Sequence, residues 1–168
     1  MARTFAVMLM ALVCLSRTIH GTPEHQEPAI PRVRSENPLL SAAIVQGAQR
    51  STTFRRLIEA IDATDGLVYV LEGRCGQGVR ACLHMSLEVS GKNRLLRILA
   101  NPRRAPGCEL IGSIGHELQH ALEVLSNPNV RTSFGLSSFF QQIGPEGPRR
   151  FETPEAIQVG LAVANEAC

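Results

Sequence analysis

Hydrophobic positions along the chain fall into three regimes. Residues 5–15 (FAVMLMALVCL) form an unbroken apolar run of eleven. From Pro38 to Ile61, and again from Leu110 onward, apolar residues recur every three or four positions, which is the period of a helix with one buried face. Between them, residues 67–71 form an apolar run rich in β-branched and aromatic side chains, the signature of a strand, and residues 81–89 and 94–100 read as two more strands. Residues 38–45 predict a short helix with Pro38 in its first turn, where a missing N–H costs nothing. Ser51-Thr52-Thr53 offers an N-cap for a second helix. Phe54, Leu57, Ile58 and Ile61 give that helix its apolar face, and Asp65-Gly66 ends it. Ser90-Gly91-Lys92-Asn93 fits a hairpin turn. A long helix is expected over Cys108–Leu125, with Leu110, Ile111, Ile114, Leu118, Ala121, Leu122 and Leu125 as its core stripe and Asn127-Pro128 as its stop. Residues 132–143 predict another helix, with Phe134, Leu136, Phe139, Phe140 and Ile143 as apolar surface. Thr153 as N-cap and Pro154 as first residue open a closing helix. The expected class is α+β, a sheet of about three strands packed on the 108–125 helix and on the C-terminal helix.

The N-terminal run changes the domain picture. Eleven apolar residues are too few to span a bilayer but suit the core of an export signal, and Arg3 supplies its basic start. Val13 precedes Cys14 where a lipoprotein signal needs a small residue, so lipidation is not expected. The reading is a signal peptide over 1–21, a linker or irregular lead-in over 22–37 containing Pro23, Pro28 and Pro31, and one domain over 38–168. About 145 residues remain after the signal, enough for one core. No later stretch is apolar enough to cross a membrane. A secreted or periplasmic protein is expected, without stable membrane insertion once the signal is cleaved.

Charge narrows the function classes. There are 17 basic and 15 acidic residues, a formal net charge of +2. The two signs are interspersed, with no basic run longer than two, and aromatics are sparse. That excludes a nucleic-acid platform and a polybasic membrane patch. Besides Cys14 there are Cys75, Cys82, Cys108 and Cys168. Cys75 and Cys82 flank a loop between two expected strands, and a local disulfide is expected there in an oxidising compartment. Their spacing is wider than that of structural zinc cysteines. Four cysteines allow three pairings, and whether Cys108 joins Cys168 stays open.

The candidate chemistry lies in Ile114-Gly115-His116-Glu117-Leu118-Gln119-His120-Ala121-Leu122-Glu123, which contains His-Glu-x-x-His. On a helix, residues four apart are about 6 Å apart along the axis and about 40° apart in azimuth. His116 and His120 therefore share a face and can reach one metal ion, with Zn²⁺ the expected one. Glu117 sits beside that ion, placed to take a proton from an attacking water. A di-iron carboxylate bundle would need a second Glu-x-x-His on another helix, and no other glutamate has a histidine three residues later.

Catalytic zinc takes three protein ligands. No histidine follows His120, and Ser126 stands where a metzincin has its third histidine, so a carboxylate is expected. Glu152 is preferred, because Ala156 and Gly160 would let its helix approach the His116–His120 helix closely. Glu155 is second and Glu146 third. Glu123 shares the face of both histidines and is either an orienter of a ligand imidazole or a solvated carboxylate. A second electrophile for the oxyanion is unassigned among Tyr69, His84 and Arg131.

These residues carry a resemblance. His-Glu-Leu-Gln-His-Ala-Leu-Glu, preceded by strands such as Leu-Val-Tyr-Val and followed by Phe151-Glu152-Thr153, resembles a group of exported, largely uncharacterised bacterial zincin-like proteins of the gluzincin type. The resemblance covers roughly residues 51–166. It implies a small zincin-like fold, His116, His120 and Glu152 as zinc ligands, and Glu117 as catalytic base. Many small gluzincins have alanine three residues after the ligand glutamate, where this chain has Glu155. The implied activity is zinc-dependent hydrolysis of peptide bonds, with a peptide or protein as substrate. The alternative is a non-catalytic zinc-stabilised domain that binds a partner in the cell envelope.

Overall fold

The computed structural model describes residues 30–103, 107–144 and 151–168. The expected signal peptide, the first half of the lead-in and Glu146 lie outside them. The described residues form a mixed arrangement of five helices and one five-stranded sheet, compatible with the α+β class.

The helices follow their caps. The first, α1, is Pro38–Arg50, longer than expected, and Asn37 caps it by accepting from the Leu39 and Leu40 N–H groups. Ser51 caps α2, Thr52–Asp62, accepting from the Phe54 N–H at 2.9 Å. The Ser51 hydroxyl then donates to Glu166, far along the chain, at 2.7 Å. Glu166 also accepts from the Thr53 N–H and the Thr53 hydroxyl. It thus serves as a distant carboxylate at the positive end of α2.

The Thr53 N–H, the Ser51 hydroxyl and the Thr53 hydroxyl hold the Glu166 carboxyl down at a pKa of about 2, from an ordinary 4.5. A carboxyl depressed in the folded state adds stability that is complete above its unfolded pKa and is lost as pH falls toward 2. Glu166 is exposed, so water screens much of that contribution. Glu166→Gln is expected to lower the melting temperature by a few degrees at pH 7, and by progressively less as pH approaches about 2. Thermal melts across a pH series measure this. A difference independent of pH would mean that the charge has no role.

The sheet corrects the expected three strands. Val33–Arg34 in the lead-in forms an edge strand, β1, parallel to β2, Gly66–Glu72. The run 81–89 is two strands, β3 (Ala81–Leu83) and β4 (Glu88–Ser90), both antiparallel to β5, Asn93–Ala100. The reason for the split is local. Leu83 pairs with Ile98 and Glu88 with Leu95, so five steps on one side (88 − 83) face three on the other (98 − 95). The surplus is taken up where Leu87 turns into the core, its N–H bonded to the Ser133 hydroxyl at 3.1 Å. The hairpin turn between β4 and β5 is as expected, with Gly91 at φ 57°, the left-handed region that glycine enters without strain. Strand order is β1-β2-β5-β3, with β2 and β5 parallel, so β3 is an edge.

Helix α3, Cys108–Leu125, has the expected bounds and stripe; Leu110, Ile111, Ile114, Leu118, Ala121 and Leu125 are buried. Its C-terminal end is held by Arg94, at the start of β5 and only 2 % exposed. Arg94 donates to the Val124, Leu125, Asn127 and Val130 carbonyls and to Asp65. A cation at a helix C-terminus meets both the orphan carbonyls and the helix dipole. Helix α4 is Ser133–Ile143; it buries Leu136 and Phe140, while Phe134 is 82 % exposed, contrary to the expected apolar surface. Helix α5 is Pro154–Ala167 with Thr153 as N-cap. It packs antiparallel to α3, its far end joined by the Cys108–Cys168 disulfide. Cys75 and Cys82 form the second disulfide.

Candidate metal centre

His116 and His120 project from the middle of α3 toward the start of α5. Two devices hold the helices close enough for one ion to be shared. Gly160 on α5 lies against His116, where an added Cβ would come within 2.9 Å of the His116 Cβ. Gly112 on α3 lies against Ala164 in the same way, at 2.7 Å. The small-residue face expected on α5 is therefore in use at Gly160, and Ala156 beside it is fully buried.

His116 Nε2, His120 and Glu152 offer three ligand atoms, all within 4.8 Å of one another. His116 Nε2 and Glu152 Oε2 are 3.3 Å apart. Ligands about 2.1 Å from a tetrahedral ion lie roughly 3.4 Å apart, so this pair is already at metal spacing and a bound ion would draw the wider ones inward. His120 Nε2 adds an independent sign. Among the described residues it is the buried side-chain polar atom that has no hydrogen-bond partner. An orphaned buried nitrogen is costly unless something else meets it. Glu155 is exposed and lies outside this group, because it falls in the first turn of α5 whereas Glu152 precedes the helix.

The other ring nitrogen of His120 accounts for Glu123. His120 Nδ1–H donates to Glu123 Oε2 at 3.0 Å, and Glu123 Oε1 accepts from the Thr153 hydroxyl at 2.7 Å. Thr153 in turn accepts from the Ala156 N–H as the cap of α5. One short chain of hydrogen bonds thus orients a ligand candidate on α3 and fixes the residue next to the ligand candidate before α5. Thr153 was legible as a cap, but not as this link, since its partner is 30 residues away.

Electrostatics divide the group. Burial pushes the Glu117 carboxyl up, against the pull of His120, His116 and the Leu83 N–H. Burial opposes the charged form of His120, but the hydrogen bond to Glu123 and the nearby Glu117 carboxylate outweigh it, and its pKa is raised. Glu123 is pulled below its ordinary range by His120 and Thr153 in spite of its burial. A proton on His120 competes with a metal, so affinity falls with acidification.

Glu117 lies 3.9 Å from His116 Nε2 through one oxygen and accepts from the Leu83 N–H at 2.7 Å through the other. That N–H is on the outer edge of β3. The His84 N–H and the Arg80 carbonyl bond inward to β5, so alternation turns the main-chain groups of Ala81 and Leu83 outward. Two recesses flank the group. A groove of about 390 Å³ includes Arg80, Glu109, His116, Glu117 and Glu152. A second pocket, of about 190 Å³, includes Leu83, Met85, Glu117, His120, Phe140 and Glu152.

The three residues considered for an oxyanion lie elsewhere. Tyr69 bonds Arg34 on the sheet, His84 faces Ser86, and Arg131 pairs with Asp65. Arg80, in the groove but paired with Glu109 at 3.1 Å, went unnoticed in the sequence.

No protein-family model, no curated protein and no solved structure matches the chain. What the site can do is therefore a question for its own chemistry.

Proposed function

We propose that the protein is an exported, zinc-dependent hydrolase of peptide bonds, with a small zincin-like domain in which His116, His120 and Glu152 are ligands and Glu117 is the base. The observation that carries this reading is the convergence of two imidazoles and a carboxylate within 4.8 Å around an orphaned His120 nitrogen, with a buried carboxylate alongside. Two imidazoles and a carboxylate form a donor set that suits catalytic zinc. Zinc, when bound, supplies a Lewis acid that acidifies water and polarises a carbonyl. Glu117 takes a proton from the attacking water while the water oxygen bonds to the carbonyl carbon. The C–N bond then breaks, and Glu117 returns the proton to the leaving amine. Glu123 and Thr153 hold the His120 ring so that Nε2 faces inward. Two disulfides are consistent with an oxidising compartment, and no described helix is long and apolar enough to cross a membrane. The disulfides support secretion or a periplasmic location.

The alternative is a zinc-stabilised domain that binds an envelope partner. It draws on the same Glu117, which is only 7 % exposed and already engaged by the Leu83 N–H.

Purified protein is expected to hold about one zinc per chain. It is also expected to cleave peptides in a reaction that a chelator stops and zinc restores. Elemental analysis of the His116→Ala/His120→Ala protein checks the first point, and full retention of zinc there would sink the site. Zinc without cleavage would favour the binding domain.

A further inference from the structure

Resting on the hydrolase reading above, we infer that the Cys108–Cys168 disulfide regulates the metal centre: the intact bond holds α5, and with it Glu152, against the two histidines, and its reduction by a thiol lowers the affinity for zinc. The donors come from two separate segments, His116 and His120 from α3 and Glu152 from just before α5. The disulfide joins those same two helices, from the first residue of α3 to the residue that caps the end of α5. It lies away from the donors. His116 is eight positions past Cys108 (116 − 108), about 12 Å along the axis, and Glu152 stands beyond the opposite end of α5. The bond therefore reaches the metal only through the seating of α5.

Noncovalent forces seat α5 weakly. Its buried side chains are Ala156, Val163 and Ala167, and an alanine brings one methyl of apolar surface to the interface. The larger Ile157 and Leu161 are 39 % and 57 % exposed. Gly160 and Gly112 let the backbones approach but add no side-chain area. Glu166 ties α5 to Ser51 and Thr53 through an exposed carboxylate, where water competes. Thr153 gives Glu123 a single hydrogen bond. With the disulfide intact, α5 is already seated and zinc finds three donors in place. Without it, zinc must also bring α5 in. The coupling is reciprocal: zinc that joins the two helices keeps the sulfurs together and opposes reduction. Cys168 is exposed and Cys108 half-buried, so a thiolate attacks the Cys168 sulfur. A mixed disulfide forms there, and Cys108 leaves as a thiolate that takes a proton. A second thiol attacks the bound reductant's sulfur and frees Cys168, which is protonated in turn. Two reductant thiols become one disulfide, and the protein disulfide becomes two thiols.

The test compares intact protein with Cys108→Ser/Cys168→Ser and Cys75→Ser/Cys82→Ser, with folding followed by circular dichroism and zinc affinity by competition with a chromophoric chelator. The dissociation constant is expected to rise at least about tenfold in the first variant, within the usual range of coupling between two sites, and to stay close to the intact value in the second. On a Glu152→Ala background, which removes the ligand that α5 delivers, that difference is expected to vanish. A difference that persists there comes from general loosening and overturns the inference. A folded Cys108→Ser/Cys168→Ser protein with intact affinity also overturns it and leaves the hydrolase reading standing. If that variant does not fold, wild-type protein is equilibrated in graded glutathione buffers with and without zinc, and the two bonds are mapped separately by alkylation and mass spectrometry. Zinc is then expected to shift reduction of Cys108–Cys168 to at least about a tenfold higher thiol-to-disulfide ratio and to leave Cys75–Cys82 where it was. Equal protection of both bonds, or of neither, overturns the inference. Intact protein that binds no zinc overturns both readings.

Discussion

Glu117→Gln is expected to keep zinc and fold while peptide hydrolysis drops by about 10²–10⁴-fold, the usual cost of removing a general base. Glutamine has the same shape and can still accept from the Leu83 N–H, so the edge of the site stays closed. It cannot take a proton. Glu152→Ala should do the opposite. It removes a ligand candidate 3.3 Å from His116 Nε2, so zinc affinity falls first and hydrolysis follows. Melting temperature in the presence of zinc falls with it, because binding to the native state adds to stability. Glu155→Ala, at an exposed position outside the group, should change little. Zinc affinity, melting temperature and cleavage measured in parallel separate the roles. If Glu155→Ala strips the metal and Glu152→Ala does not, the third ligand is wrongly assigned. If Glu117→Gln leaves cleavage untouched, that cleavage comes from another site.

Arg94→Met is expected to destabilise the protein by about 3–5 kcal/mol, the range for removing one partner of a buried charged network. The substitution strands four carbonyls at and beyond the end of α3, together with Asp65. Arg94 lowers the Asp65 pKa mainly through its hydrogen bond, so that carboxylate also loses its main partner. Arg94→Lys keeps the charge but brings three donors to five acceptors, and should recover only part of the loss. Chemical denaturation of the three proteins measures the differences. A loss below about 1 kcal/mol for Arg94→Met would show that water replaces the guanidinium at little cost.

The contrast between Arg94 and the caps shows what local sequence can reveal. Ser51 and Thr153 were readable because a cap acts over three residues. The bounds of α3 were readable because its stripe runs unbroken from Leu110 to Leu125 and ends before Asn127-Pro128. Arg94 looked like the polar start of a strand, and its five acceptors, on Asp65 and on residues 124–130, are 29 to 36 positions away. The break in the run 81–89 was hidden for the same reason, since Ser133 makes it from 46 positions downstream. Strand β1 has two residues in a proline-containing stretch, too few to show any period. At the site, spacing alone paired His116 with His120. The choice between Glu152 and Glu155 turned on where α5 begins, and a start at Pro154 leaves Glu152 beside the histidines and turns Glu155 to water. The empty search for an oxyanion partner among Tyr69, His84 and Arg131 has a related cause. Tyr69 on β2 meets Arg34, His84 lies just past β3 and meets Ser86, and Arg131 lies between α3 and α4 beside Asp65, and these placements depend on a strand register and a loop course that the sequence does not disclose.

Strand β3 has a consequence for the behaviour of the protein in concentrated solution. A free strand edge is a template on which other chains can stack, and proteins with long flat edges aggregate through them. This edge is three residues long, ending at Leu83, and the chain turns into the core further on at Leu87. A disulfide ties its middle residue back to the preceding loop, and the buried carboxylate of Glu117 already occupies one of its outward N–H groups. The exposed template is thereby kept short. Reducing Cys75–Cys82 is expected to free the loop from that edge and so to leave more of it open to pairing with other copies of the protein.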